Sequence, residues 1–157
     1  MKNENPKPIK RHPALQPLSR EHHHGLLLSW KIRTGFAKGV APERIKAYCD
    51  WFFENHLLRH FDTEEQHVFP VLGNKEHPLV KRALREHGRL KRLFTTGEDL
   101  GKNLSLIEEE LTAHIRFEER ELFNEIQQVA TAEQLAQIER LHDEQPFEEH
   151  WPDRFWE

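Results

Sequence analysis

One ten-residue pattern, present twice, constrains this chain more than any other feature. His60-Phe61-Asp62-Thr63-Glu64-Glu65-Gln66-His67-Val68-Phe69 is answered 54 residues later by His114-Ile115-Arg116-Phe117-Glu118-Glu119-Arg120-Glu121-Leu122-Phe123. Both copies read His-x-x-x-Glu-Glu-x-x-x-Phe. A histidine and a glutamate four apart share one face of a helix, and both pairs lie on stripes that are otherwise apolar and face a core. A buried carboxylate without a partner is costly, and two facing each other repel and take up protons. A pair of cations between them resolves both problems. Arg20-Glu21-His22 is matched in turn by Arg85-Glu86-His87, with Leu18 and Ala83 four residues before the respective histidines. The chain therefore reads as two copies of a helix pair, the first helix giving one histidine and the second giving His-x-x-x-Glu.

Four long helices fit the periodicity. The first runs from about Pro17 to Ala37 on a stripe through Leu18, His22, Leu26 and Ser29, with Gly35 and Gly39 marking its end. The second starts at Pro42, a residue suited to a first helical turn, and runs to about Pro70 or Leu72, where Gly73-Asn74 turns the chain. The third starts near His77-Pro78 and passes through His87 to Phe94. Gly97 to Lys102 reads as a loop. The fourth runs from about Leu104 to Val129, and Thr131 with Gln134 forms a capping box for a shorter helix ending near His142. Short connections between long helices predict an all-α, up-down-up-down four-helix bundle over 15–144. Residues 1–14, with Pro6, Pro8 and Pro13, read as a flexible arm. Residues 145–157 carry Phe147, Trp151, Phe155 and Trp156, too many aromatics for a free tail, so packing on the bundle is expected.

Composition excludes several classes. A net charge of −4 with no clustered basic face gives no reason to expect nucleic acid. No apolar run approaches the ~20 residues that span a bilayer, and no secretory signal is apparent. The single cysteine, Cys49, reads as a core residue, and a reducing, cytoplasmic setting is expected. The 12 histidines are the outstanding excess. Imidazole and carboxylate donors suit iron, manganese or zinc.

The order His … His-x-x-x-Glu … His … His-x-x-x-Glu resembles the hemerythrin-like, HHE cation-binding family, and His60-Phe61-x-x-Glu64-Glu65 is similar to that family's second-helix motif. The resemblance covers about residues 15–128. It implies two iron ions, or alternatively manganese or zinc. His22, His60, His87 and His114 would be terminal ligands, with Glu64 and Glu118 bridging and an oxo, hydroxo or water bridge completing the pair. His23 and His24 are alternatives to His22. His23, His56, His67 and Glu121 are possible further ligands or supporting groups; His67 and Glu121, each seven residues after its motif histidine, are expected to face the core below the metals. Glu65 and Glu119 are expected at the solvent side or around the ligands.

The chain departs from the oxygen-carrying members. Those have two histidines four apart on the third helix, where this chain has Ala83, His87 and Lys91. Their aspartate five after the fourth-helix histidine is replaced here by Glu119, with the match at Glu118. The resemblance thus implies a non-haem di-iron protein that binds or senses a small ligand such as oxygen, nitric oxide or peroxide. An iron-handling or regulatory module without catalysis is the alternative. No catalytic residue is assigned, and no protein partner is named.

Overall fold

The computed structural model describes residues 10–73, 75–141 and 149–157. The sequence expectations for Asn74, His142, Gln145, Phe147 and residues 1–9 lie outside that range. Among the described residues there is no strand. The first rod is α1 (Gln16–Ala37). The second is α2 (Pro42–Phe52), a π turn (Phe53–Leu57), α3 (Leu58–Thr63), a second π turn (Glu64–Val68) and a 3-10 turn (Phe69–Leu72). The third is α4 (Pro78–Thr95). The fourth is α5 (Leu100–Phe117), a π turn (Glu118–Leu122) and α6 (Phe123–Val129), and α7 (Ala132–Leu141) follows. Short links leave consecutive rods antiparallel, and α5 lies along α1 on one side and α4 on the other.

Local chemistry sets the ends. At the close of α1, Gly39 takes φ +70, Gly39 N–H donates to Phe36 O at 3.0 Å and Val40 N–H to Gly35 O at 2.9 Å. This crossed pair satisfies the last carbonyls, and the left-handed residue favours glycine. Gly35 itself lies inside the helix rather than ending it. A Cβ there would sit 2.8 Å from Ile45 Cδ1 and 3.0 Å from Phe155 Cε2. His77 caps α4, its Nδ1 accepting from Leu79 N–H at 3.2 Å. Thr131 and Gln134 exchange hydrogen bonds at 2.9 and 3.1 Å, the capping box that the sequence predicts. The loop before α5 is shorter than the sequence suggests. The left-handed Asp99 ends it, and the buried Asn103 side chain donates to Leu93 O at 2.8 Å, tying the start of α5 to the end of α4.

Two apolar clusters fill the bundle. One holds Ile32, Ile45, Tyr48, Phe52, Phe53, Phe94 and Leu104 among others; the second holds Leu15, Leu18, Val68, Val80, Phe123 and Ile138 among others. The buried stripe of α1 runs Leu18–His22–Gly25–Leu28–Ser29–Ile32, and Leu26 is 36% exposed. Steps of four, three and four hold a 3.6-residue period, whereas a second step of four drifts away from the core. Gly25 lets α1 approach α5, since a Cβ there would lie 2.8 Å from Ile115 Cδ1.

Both chain ends described are fastened to the bundle. Phe155 and Trp156 are buried in the first cluster, with Trp151 packed against it. The buried Lys31 ammonium donates to Tyr48 Oη at 2.8 Å and to Glu149 Oε1 at 2.5 Å, and lies 3.9 Å from the Trp156 ring centroid. Tyr48 also donates to Glu149, and burial together with that carboxylate pushes its phenol well up. At the other end Arg11 donates to Asn124, Gln127 and the Glu119 carbonyl at 3.2, 2.8 and 2.6 Å. Ala14 is fully buried, so Arg11 to Ala14 is bound structure rather than part of a flexible arm. Cys49 is buried and free, and burial pushes its thiol up to about 12. No described helix is long and apolar enough to cross a membrane.

Candidate metal centre

All four rods contribute to a buried polar layer. His22 comes from α1, His60 and Glu64 from the second rod, His87 from α4, and His114 and Glu118 from the fourth rod. Glu64 and Glu118 are fully buried, and none of the four histidines is more than 5% exposed. Leaving six such groups in a core without compensation would be costly.

The six form two overlapping clusters, His22–His60–Glu64–Glu118 and Glu64–His87–His114–Glu118, each with donor atoms within 4.8 Å of one another. Each carboxylate is shared, one oxygen to each side. Glu64 Oε2 lies 3.3 Å from His60 Nε2 and 3.8 Å from His22 Nε2, while Oε1 lies 3.1 Å from His87 Nε2. Glu118 Oε1 lies 2.8 Å from His22 Nε2, while Oε2 lies 3.3 Å from His114 Nε2 and 3.6 Å from His87 Nε2. The internal repeat thus becomes a pseudo-twofold arrangement, with two imidazole nitrogens and two carboxylate oxygens on each side.

Apart from His22 Nε2 and Glu118 Oε1, which hydrogen-bond at 2.8 Å, the inner atoms are close but not paired. Nε2 of His60, His87 and His114, both Glu64 oxygens and Glu118 Oε2 are buried without a hydrogen bond of acceptable geometry. Buried polar atoms in native proteins almost always have a partner. Six that converge on one space fit cations held by nitrogen and oxygen donors, which is how imidazole and carboxylate sites bind first-row metals.

A ring of outer glutamates orients the imidazoles. His22 Nδ1 pairs with Glu119 at 2.6 Å, His60 Nδ1 with Glu21 at 2.8 Å, His87 Nδ1 with Glu65 at 2.7 Å and His114 Nδ1 with Glu86 at 2.8 Å. Each Nδ1 is taken up by a carboxylate, which fixes Nδ1–H and turns Nε2 inward. The pattern follows the repeat: Glu21 and Glu86 reach from the first helix of each pair to the second, and Glu65 and Glu119 reach across to the other pair. Sequence reading used Glu21 and Glu86 only to align the repeats. Their signal was available, because each directly precedes a site histidine in both copies. Glu119 is further held by Ser19 Oγ at 2.8 Å. Aromatic rings brace the imidazoles, with Phe61 stacked 3.9 Å from His87 and Phe123 stacked 5.2 Å from His22.

Electrostatics agree with this arrangement. Burial works against charge on His60, but Glu64 and Glu21 hold its pKa up to about 9. His22 and His87 are raised further against the same burial, by Glu118, Glu64 and an outer glutamate each. Burial also pushes the Glu118 carboxyl up, and His114 and His22 more than offset it, holding it well below the usual range. Together the groups favour charge at the centre of an apolar bundle.

Five other sequence candidates lie elsewhere. His23 is exposed on α1 and belongs to neither cluster. His56 is half-buried with its ring 5.2 Å from that of Trp51. His24 is half-buried outside both clusters, so His22 is the α1 histidine that reaches them. His67 and Glu121 do not face the core; both are exposed, and Arg82 approaches Glu121 at 3.6 Å. The π turns beginning at Glu64 and Glu118 are the reason. A π turn accommodates one extra residue, so the core position falls eight residues after each motif histidine. Val68 and Leu122, both fully buried, take it.

Comparison with known proteins places the architecture. No curated protein and no solved structure gives a significant match. The hemerythrin HHE cation binding domain matches residues 15–98, a span that holds His22, His60, Glu64 and His87, while His114 and Glu118 follow in the second copy of the repeat. With more than half of its length matched and its helical bundle carrying paired His/Glu clusters, the chain belongs to the hemerythrin HHE cation-binding family, whose domains bind metal ions.

Proposed function

We propose that this chain is a non-haem di-iron protein that binds or senses a small ligand such as oxygen, nitric oxide or peroxide. The observation that carries the reading is the pair of four-donor clusters sharing Glu64 and Glu118. His22 and His60 would hold one ion and His87 and His114 the other, with the two carboxylates spanning both. The donor set accepts manganese or zinc as well; iron is the ion whose redox chemistry gives the small-ligand reading its purpose. When bound, the metal pair supplies Lewis acidity and electrons to a small molecule.

The residues of the chain do the rest. Glu21, Glu65, Glu86 and Glu119 keep each Nδ1 protonated and each Nε2 aimed inward. Phe61 and Phe123 fix the ring planes and exclude water. Were octahedral iron held there, four protein donors on each side would leave coordination positions open, which would suit exchange of a small ligand rather than a closed structural site. Absence of the carriers' second histidine on α4 favours sensing or reaction over reversible carriage.

The test is the absorption spectrum of the ferrous protein before and after addition of oxygen, nitric oxide or peroxide. A change specific to one of them assigns the ligand. Indifference to all three would sink the small-ligand reading and leave the iron-handling alternative.

A further inference from the structure

The internal repeat also makes a prediction about an open cavity. A space of about 400 Å³ lies beside the 3-10 turn of the second rod, walled by Glu65, Phe69, Pro70, Gly73, Val80 and Leu84. Moved by the repeat, these positions become Glu119, Phe123, Asn124, Gln127, Leu15 and Ser19. Four of that second set, Glu119, Phe123, Asn124 and Gln127, hold the Arg11 side chain. Arg11 donates to Asn124 Oδ1, Gln127 Oε1 and the Glu119 carbonyl, approaches Glu119 Oε1 at 3.5 Å, and lies 5.5 Å from the centroid of Phe123. The cavity is thus the repeat mate of a socket that a guanidinium already fills.

The reason one socket is filled and the other open is a single residue. His12-Pro13 before α1 corresponds to His77-Pro78 before α4, and both histidines cap their turns through Nδ1, accepting from Ala14 N–H at 3.0 Å and from Leu79 N–H at 3.2 Å. The residue preceding each pair is Arg11 in the first copy and Glu76 in the second. Glu76 is 81% exposed and pairs with Lys81 at 3.6 Å. A glutamate would be repelled from Glu65, so the second copy leaves its own socket open.

We propose that this cavity binds a small guanidinium compound. Glu65 presents the same chemistry as Glu119. Its Oε2 is engaged by His87 Nδ1, as Glu119 Oε2 is by His22, and Oε1 is the oxygen that corresponds to the one facing Arg11. Phe69 supplies the ring face for a planar cation. Pro70 and Gly73 replace Asn124 and Gln127, which removes two side-chain acceptors and makes room for an organic body against Val80 and Leu84. A volume of this size matches a small-molecule site. Lys91, 3.8 Å from Glu65 Oε2, competes for the carboxylate, and Lys75 adds a second positive charge to the wall. The ligand must displace Lys91, so binding is salt-sensitive. The site does not depend on which ion the centre holds, although its occupant touches the carboxylate that orients His87.

The experiment is a titration of the full chain with N-ethylguanidinium, followed by backbone amide NMR shifts, with neutral N-ethylurea as the isosteric control. Saturable shifts at Gln66 and Gly73 with the cation alone are expected. Glu65→Gln keeps an acceptor for His87 but removes the charge, and should weaken binding at least tenfold. Glu76→Arg, at an exposed position, should fill the socket from within, abolishing the shifts and raising the melting temperature. Shifts that rise linearly without saturating, equal shifts with the urea, or undiminished binding in Glu76→Arg would each overturn the proposal. That last variant decides the matter even if Glu65→Gln fails to fold.

Discussion

Replacing Glu86 by alanine tests the outer carboxylates most cleanly. Glu86 Oε1 lies 2.8 Å from His114 Nδ1, and its other oxygen accepts from Arg82 Nε at 2.9 Å. It has none of the attachments to chain ends that complicate Glu119. Loss of a supporting partner typically costs ten- to a hundredfold in metal affinity, about 1.4–2.8 kcal/mol. The Glu86 side chain is 27% exposed, so water can replace it at Nδ1, and the expected cost falls near the tenfold end. His114 belongs to one of the two clusters, so the titration should split into one ion bound nearly as in the parent and one bound about tenfold more weakly. Competition with a chromophoric chelator reads this directly. Glu86→Gln, which keeps an acceptor, should fall between, and Glu110→Ala, which breaks only the exposed pair with Arg89, should change nothing. A Glu86→Ala curve that superimposes on the parent would refute the claim that outer carboxylates hold the imidazoles for metal.

Further expectations concern stability. Ions that bind only the folded chain stabilise it by mass action, so stripping the protein with a chelator should lower its melting temperature, and unchanged melting would contradict a metal-organised core. In the stripped chain His60 titrates at about 9, above its ordinary 6.5, because neighbouring carboxylates outweigh burial. A raised folded-state pKa contributes stability that is fully present below about 6.5 and lost as pH climbs through about 9. The stripped protein should therefore melt progressively lower over that window, whereas the loaded protein should not; equal slopes would count against the assignment. Gly35→Ala forces a Cβ within 2.8 Å of Ile45 and 3.0 Å of Phe155. Overpacking costs about 1–3 kcal/mol and helix propensity returns about 1. The variant should lose roughly 1 kcal/mol, with a shift in tryptophan fluorescence from the tail. Gly88→Ala, whose nearest contact is 3.6 Å away at Arg92, should gain stability instead, and a Gly35→Ala at least as stable as Gly88→Ala would refute this packing.

Much of the fold was legible because it is written in periodicity and end signals. Pro42, Gly39 and the Thr131–Gln134 box act locally, and the chain obeys them. The convergence of His22, His60, Glu64, His87, His114 and Glu118 was also legible, because residues four apart on duplicated stripes must meet if the rods pack. Local π turns were not. Nothing in Glu64–Val68 marks them by composition, and one extra residue was enough to turn His67 and Glu121 outward. Glu65 and Glu119 read as lying at the solvent side or around the ligands, but which histidine each outer glutamate holds escaped for a different reason. Each lies on another rod from the histidine it holds, so its role depends on rod-to-rod register rather than on its own helix. Arg11 was hidden in a proline-containing stretch that looks like an arm, and its socket is built by residues more than a hundred positions away.

The most direct test of the central claim is the metal content of protein from iron-supplied cells, by elemental analysis, with Glu64→Ala and Glu118→Ala alongside. The account predicts roughly two ions per chain in the parent and a loss of paired binding in each variant, because either carboxylate spans both positions. A parent that holds no metal even after reconstitution, or variants that keep the full complement, would contradict it.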